Sequence, residues 1–142
     1  GHGDTMVPML NYTTINGKKI SQIIGKEKLD SIIDRTRKGG AEIVKFLEKG
    51  SAFYAPAASG VEMAESYIKN LKKTLPCAAF LNGEYGLKNI YAGVPVIIGK
   101  GGVEKINEID LDENEKNQFM NSIDSVKKLW QAASKIDPEL VK

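Results

Sequence analysis

Cysteine and histidine are almost absent from this chain of 142 residues, which contains one of each. A single cysteine, Cys77, excludes an intrachain disulfide, and no Cys/His cluster is available to hold a metal ion. Because Cys77 lies in the apolar run LPCAAFL, we expect a small buried side chain there. A lone thiol suits a reducing compartment, so we expect a cytoplasmic location.

Concentrated charge and long apolar runs are also missing. The formal net charge is +2, and the only arginines, Arg35 and Arg37, belong to no basic block interleaved with aromatic residues. We therefore expect no nucleic-acid partner. The longest apolar run, VPVII, is too short to cross a bilayer, and the first residues show no secretory signal. These properties predict a globular protein of one domain without a membrane segment.

The N-terminal part of the chain combines an extended pattern with a helical one. The segment MVPMLNYTTINGKKISQII is predicted to be extended, with Asn16-Gly17 as a hairpin turn because both residues tolerate positive φ. From Lys26 onward, apolar residues recur at helical spacing. The pair Gly39-Gly40 lowers helix propensity and predicts a kink or a break between two helices.

A second helix is predicted from Ala57 to Lys73, with Pro56 in its first turn, where no backbone N–H is needed. The segment GSAFYAPAASG at its start combines small residues with two aromatics. It is either a tight turn into the helix or a place where a ligand approaches the backbone closely. The predicted buried stripe of this helix consists of Met63, Tyr67, Ile68 and Leu71.

The remaining pattern predicts strands followed by a last helix. TLPCAAFLNGEYG predicts a strand that ends in a turn at Asn82-Gly83, and IYAGVPVIIGKGGVEKINEI predicts two strands joined at residues 99–102. This glycine-rich turn matches neither the P-loop nor the dinucleotide-binding fingerprint, so we interpret it as a hairpin. Strands, helices, strands and a final helix indicate an α+β fold with an antiparallel sheet and long helices.

The last helix has the clearest signals. Asp112 and Glu115 have the spacing of a capping box, and Asp137-Pro138 ends the helical pattern. Its predicted apolar face consists of Phe119, Ile123, Val126, Trp130 and Ala133.

The histidine at position 2 is the strongest candidate for acid–base chemistry. His2 carries the only side chain of this chain with an unperturbed pKa near neutrality, and a carboxylate that orients it would make it a general acid or base. Asp4 would lie on the same face if this segment were extended. A Gly-His start is also what a cleaved affinity tag leaves, so residue chemistry alone keeps both interpretations open. The pair Glu62 and Glu65, among lysines, is interpreted as a solvated helix face.

The motifs taken together resemble one family. GHGDTMVPM followed by YTTING resembles the start of the C-terminal, catalytic domain of the lactate/malate dehydrogenase family, in the branch of bacterial malate dehydrogenases that are similar to lactate dehydrogenases. The similarity continues in order through RTRKGGAEIV, GSAFYAPAAS, EMAESYIK, LPCAAFLNGEYGLKNIYAGVPVIIGKGGVEKI and the last helix. It covers essentially the whole chain.

The resemblance implies that residues 1–142 are the catalytic domain of an NAD-dependent malate dehydrogenase that interconverts malate and oxaloacetate. His2 matches the proton donor and acceptor, Ala52 a position on the wall of the substrate pocket, and Pro56 a residue against the nicotinamide ring. It also implies that Gly1-His2 is native. The Rossmann NAD-binding domain, the aspartate that pairs with the histidine, and the substrate arginines would belong to a preceding N-terminal domain. Neither arginine of this chain matches those positions, no metal is implied, and the family implies a homo-oligomer.

Two alternatives remain at this point. The residue that separates malate from lactate specificity in the family lies outside this chain, so an L-lactate dehydrogenase is the first alternative. The second is a stand-alone, non-catalytic domain that associates through an exposed apolar surface. Under the enzyme hypothesis, we expect the 142-residue chain alone to be inactive.

Overall fold

The computed structural model describes residues 3–141, and the side chains of Asp4 and Val141 are outside that description. The candidate histidine, His2, therefore lies outside the described residues. The chain divides into two units. The first contains the described residues up to Ser51 together with Asp112–Ser122, and the second contains Ala52–Leu111 and the described residues from Ile123 onward.

A short hairpin in the first unit has the predicted turn. Strands β1 (Thr14–Ile15) and β2 (Lys18–Lys19) pair antiparallel. Asn16 has φ 50° and Gly17 has φ 78°, so both turn residues adopt the left-handed conformation that a type I′ turn requires. The turn prediction is confirmed.

The segment before this hairpin is not extended, so that part of the prediction is wrong. Gly3–Thr5 form a 3-10 turn, and the backbone amides of Met6, Tyr12 and Thr13 each bond a carbonyl three residues earlier. Pro8 has no amide to contribute to a strand ladder. The local hydrogen bonds are consequently those of successive turns.

The first long helix, α1 (Lys26–Leu47), runs through Gly39-Gly40 without interruption, so the predicted break is wrong. Arg35 Nε and Nη2 donate to the two carboxylate oxygens of Glu42 at 3.1 and 2.9 Å. This bidentate pair bridges the two helical turns that contain both glycines and opposes their low helix propensity. The hydrogen bonds from Arg35 also hold the pKa of the Glu42 carboxyl below its ordinary value.

The second unit contains a three-stranded antiparallel sheet, as predicted. Strand β4 (Lys88–Gly99) pairs with β3 (Lys73–Asn82) on one side and with β5 (Gly102–Ile106) on the other. Alternate side chains of β3 and β4 are buried, as expected for a sheet with one face against a core. The buried apolar residues of these two strands are Ala79, Leu81, Ala92, Val94, Val96 and Ile98.

A β-bulge explains the irregular apolar pattern of β5. Ile97 pairs with Lys105, but the next residue, Ile98, pairs with Val103. Glu104 is therefore the extra residue on the edge strand. A bulge reverses the faces to which the following side chains point, so strict alternation fails at this position of the sequence.

The second helix, α2 (Tyr54–Ile68), starts earlier and ends earlier than predicted, since Lys73 is already the first residue of β3. Pro56 lies in its first turn, as expected. The predicted buried stripe is wrong, because all four of its side chains are exposed by between 37% and 77%: Met63, Tyr67, Ile68 and Leu71.

The buried residue of α2 is Ser66, which is fully inaccessible. Its Oγ donates to the carbonyl oxygen of Ile98 at 2.7 Å and accepts from the backbone N–H of Lys73 at 3.2 Å. A small side chain lets the helix approach strand β4 closely, and its hydroxyl satisfies two backbone groups that are removed from water. Polar bonding therefore determines which face of α2 meets the sheet.

We expect Ser66→Ala to lower the free energy of unfolding by about 1–3 kcal/mol, because it leaves buried backbone groups without their partner. Urea unfolding followed by circular dichroism measures this change. Ser59→Ala is the matched control, since Ser59 is an exposed serine of the same helix, and it is expected to change stability by less than about 0.5 kcal/mol. Equal effects of the two substitutions would contradict a structural role for the Ser66 hydroxyl.

The last helix, α3 (Glu113–Ile136), begins with the predicted capping box. The Asp112 N–H donates to Glu115 Oε2 at 3.1 Å, and the Glu115 N–H donates to Asp112 Oδ1 at 2.8 Å. On the predicted apolar face, Ile123 is buried, whereas Trp130 is 52% exposed. The other residues of the predicted face are half-buried: Phe119, Val126 and Ala133.

Cys77 on β3 is half-buried rather than buried. Its Sγ lies 3.4 Å from the sulfur of Met63, and partial burial raises the pKa of the thiol. A raised pKa reduces the thiolate population at neutral pH, which is typical of an unreactive cysteine. Between residues 3 and 141, no helix has both the length and the apolar content needed to cross a bilayer.

Candidate substrate and cofactor site

The segment that follows His2 in sequence is held by the first unit of the structure. Gly3–Thr5 form a 3-10 turn, and the Met6 N–H closes on the Gly3 carbonyl at 3.0 Å. Arg37 of α1 donates from Nε to the Met6 carbonyl at 3.1 Å and from Nη2 to Gln118 Oε1 at 2.8 Å. One guanidinium therefore joins this segment, α1 and the beginning of α3.

The proposed orienting role of Asp4 loses its basis. It required an extended backbone between positions 2 and 4. Gly3 has φ 61°, which lies in the left-handed region, and Asp4 is the middle residue of a 3-10 turn. The same-face argument is therefore wrong.

Ala52 and Pro56 lie together at the start of α2. Ala52 is half-buried, and Pro56 is exposed in the first helical turn. Between them, Phe53 is 54% exposed and Tyr54 is 81% exposed, and their ring centroids are 4.9 Å apart. This start of α2 presents small and flat apolar surfaces. It can shape a pocket and contact the face of a flat ring, but Ala52 and Pro56 have no side-chain group that transfers a proton.

The carboxylate pair of α2 is the solvated, ion-paired face predicted from its lysine-rich surroundings. Lys69 Nζ contacts Glu65 at 2.7 Å, and Lys73 Nζ contacts Glu62 at 3.3 Å and Glu65 at 3.9 Å. The hydrogen bond from Lys69, together with both lysine charges, lowers the pKa of Glu65. A carboxylate held in its charged form is a poor general acid at neutral pH.

The glycine-rich turn between β4 and β5 is a hairpin, as predicted. The Lys100 N–H donates to Asn70 Oδ1 at 3.0 Å, and the Gly101 N–H lies 3.4 Å from Glu104 Oε1. The amides that a phosphate would use are already engaged, one of them by a carboxylate that would repel an anion.

An open groove of about 600 Å³ lies over the sheet, apart from the candidate residues. Neither Ala52 nor Pro56 lines it. Its lining includes the exposed aromatic pair Phe80 and Tyr91 and the bulged edge strand. Within residues 3–141, no group of three or more histidine, cysteine, aspartate or glutamate side chains is arranged to hold a metal ion.

Arg37 was not among the candidate residues that the sequence identified. The signal was its rarity, because arginine supplies only two of the twenty basic residues of the chain. Arginine has a planar fork of donors that lysine cannot reproduce. The two arginines of a lysine-rich chain therefore merit examination as geometric contacts, but the sequence does not show what either of them contacts.

The α+β fold, with an antiparallel sheet and long helices, is that of a known domain family. Residues 1–136 match the family model described as lactate/malate dehydrogenase, alpha/beta C-terminal domain. The chain belongs to this family, which confirms the resemblance and the α+β fold.

Relatives and solved structures agree with this assignment. A malate dehydrogenase of Pelagibacter ubique (strain HTCC1062) is 67% identical, over 100% of this chain and 46% of that protein. The malate dehydrogenase structure from Salinibacter ruber is 44% identical with a TM-score of 0.93, over 98% of this chain and 45% of that one. Lactate dehydrogenase from Eimeria maxima with NADH and oxamate is 42% identical with a TM-score of 0.91, over 96% and 44%. The chain thus spans less than half the length of these proteins.

Proposed function

We propose that residues 1–142 are the C-terminal, catalytic domain of an NAD-dependent malate dehydrogenase. The observation that carries the proposal is the 67% identity to a malate dehydrogenase along the entire chain. A preceding domain in the complete protein would bind most of the dinucleotide. His2 is the proposed proton donor and acceptor, Ala52 the proposed wall of the substrate pocket, and Pro56 the proposed contact of the nicotinamide ring.

His2 performs the proton transfer in this proposal. As an imidazolium, it donates a hydrogen bond to the 2-oxo oxygen of oxaloacetate, polarises the carbonyl and protonates the oxygen as the alcohol forms. In the direction of malate oxidation, the neutral imidazole accepts the hydroxyl proton. An aspartate of the preceding domain would stabilise the charged ring. Bound NAD supplies the hydride chemistry, while protein groups orient the substrate.

Two of the described residues, Pro56 and Ala52, suit the nicotinamide end of this cofactor. An exposed proline ring at the start of α2 offers a rigid apolar surface for the flat face of a nicotinamide ring, and the half-buried Ala52 lies four residues before it. Neither residue adds a charge or an unsatisfied polar group to the pocket. Pro56 would therefore hold the nicotinamide, and Ala52 would limit the space beside the substrate.

The exposed apolar side of α2 supports a covered interface in the complete protein. Val61 is 68% exposed and Ile68 is 77% exposed on this helix. Exposed apolar surface of this kind marks interaction sites. We assign it to contact with the preceding domain or with a second copy in a homo-oligomer, and we place the enzyme in the cytoplasm.

A lactate dehydrogenase is the second candidate, because the Eimeria maxima lactate dehydrogenase matches the fold almost as well as the malate dehydrogenases do. The complete protein that contains this segment decides between the two. We expect kcat/KM for oxaloacetate to exceed that for pyruvate by at least ~10²-fold, because a site that binds a second carboxylate rejects a substrate without one. Steady-state NADH oxidation with each substrate measures the ratio. A preference for pyruvate would assign the lactate reaction instead.

A further inference from the structure

We propose that Arg37 is a positioning residue, which fixes the Gly3–Met6 segment directly after the proposed proton donor, His2. This inference rests on the proposed function of His2. Arg37 itself does not need to touch substrate or cofactor.

Arg37 connects three segments of the chain: α1, the segment that contains Met6, and α3. Its guanidinium belongs to α1, and its two hydrogen bonds end on the Met6 carbonyl at 3.1 Å and on Gln118 Oε1 of α3 at 2.8 Å. The Arg37 side chain is half-buried, so water competes less for these donors than at an exposed site. Because the donors lie in one rigid plane, the three segments cannot shift independently while both bonds persist.

A second contact holds the other end of the same segment. Asn11 Nδ2 donates to Asp112 Oδ2 at 3.2 Å and to Glu115 Oε1 at 3.3 Å. Glu115 is only 5% exposed, which makes this end a well-defined anchor. The segment is therefore held at two points, at Met6 by Arg37 and at Asn11 by Asp112 and Glu115.

The link from Arg37 to the histidine is short in sequence. Met6 is four residues after His2, and a single 3-10 turn, closed by the Met6 N–H on the Gly3 carbonyl, lies between them. The Met6 carbonyl that Arg37 holds is therefore separated from position 2 in the sequence by one closed turn. Proton transfer requires the donor within hydrogen-bond reach of the substrate oxygen.

The chain offers a matched control two residues away. Arg35 is on the same helix, but its guanidinium is 79% exposed and pairs along α1 with Glu42. Arg35→Lys and Arg37→Lys make the same chemical change and keep the charge. Only the second removes the fork that reaches Met6.

The test measures single-turnover NADH oxidation with oxaloacetate in the complete protein. The rate constant reports the geometry of the reacting groups, whereas the amplitude reports the folded, active fraction. Arg37→Lys is expected to lower the rate constant by about 10–100-fold, the size of effect that a displacement near 1 Å produces. KM for oxaloacetate should change less than about threefold, because the proposed carboxylate-binding groups lie elsewhere. Arg35→Lys should match the wild type.

Gln118→Ala keeps the arginine and removes one of its two contacts, so it tests the proposal if Arg37→Lys folds poorly. We expect about a tenfold lower rate constant with a normal amplitude. A loss confined to the amplitude, or an unchanged rate constant in both variants, overturns the positioning role. His2→Gln in the same assay separates the two hypotheses. If that variant keeps its rate, the proposed function itself fails, whereas its inactivity beside unaffected Arg37 and Gln118 variants refutes only this inference.

Discussion

Replacing His2 by glutamine in the complete protein is expected to lower kcat/KM for oxaloacetate reduction by about 10²–10⁴-fold, the usual contribution of a general acid. Glutamine retains a hydrogen-bond donor for the carbonyl but cannot release a proton near neutral pH. The loss should therefore appear in kcat, with a smaller change in KM. Steady-state rates of NADH oxidation across a range of oxaloacetate concentrations measure both parameters.

Two controls restrict the interpretation of that experiment. NADH affinity and the thermal unfolding midpoint of His2→Gln should match the wild type, because glutamine is close to histidine in size and keeps a hydrogen-bond donor. Ser59→Ala, on the exposed surface of α2, should keep full activity. A His2→Gln enzyme with a rate within a few-fold of the wild type would exclude His2 as the proton donor.

The 142-residue chain by itself is expected to show no detectable turnover of NADH and oxaloacetate. It aligns with less than half of a related malate dehydrogenase, and in the proposed enzyme the pyrophosphate-binding loop and the substrate arginines belong to the other part. Without them, the reacting groups are not brought together, and the gain from proximity, about 7–11 kcal/mol of barrier, is lost.

The complete protein is the positive control for this experiment, assayed at equal molar concentration. Circular dichroism on the 142-residue chain establishes whether it retains helix and strand content during the assay. Turnover by this chain that approaches the rate of the complete protein would refute the proposed division of labour between the two parts.

Local signals in the sequence predicted the features that depend on a few neighbouring residues. The Asn16-Gly17 turn follows from the tolerance of both residues for positive φ, and the capping box of Asp112 and Glu115 from reciprocal bonds three residues apart. Pro56 at the start of α2 needs only the missing amide of proline. Such interactions form within one turn of chain, so spacing alone identifies them.

The assignment of the candidate site came from motif resemblance instead. No spacing rule marks Ala52 or Pro56, since neither has a reactive side chain. The residue type of His2 alone left open whether it is a catalytic residue or the remnant of an affinity tag. The ordered series of motifs along the whole chain favoured the catalytic interpretation of His2. The family match confirms the resemblance itself, and the roles of the three residues stay predictions.

Only the tertiary structure decided which residues meet across the chain. Helical periodicity favoured the apolar side chains of α2 for burial, yet the sheet meets the hydroxyl of Ser66, which bonds the Ile98 carbonyl and the Lys73 amide. Local periodicity does not contain this contact, because it joins α2 to residues of two strands. The contacts of Arg37 could not be predicted from local signals either, because its partners are 31 and 81 residues away in sequence. The sequence by itself determined turns, caps and the order of elements, whose hydrogen bonds are local. Long-range polar contacts depend on how distant segments approach, and that became visible only in three dimensions.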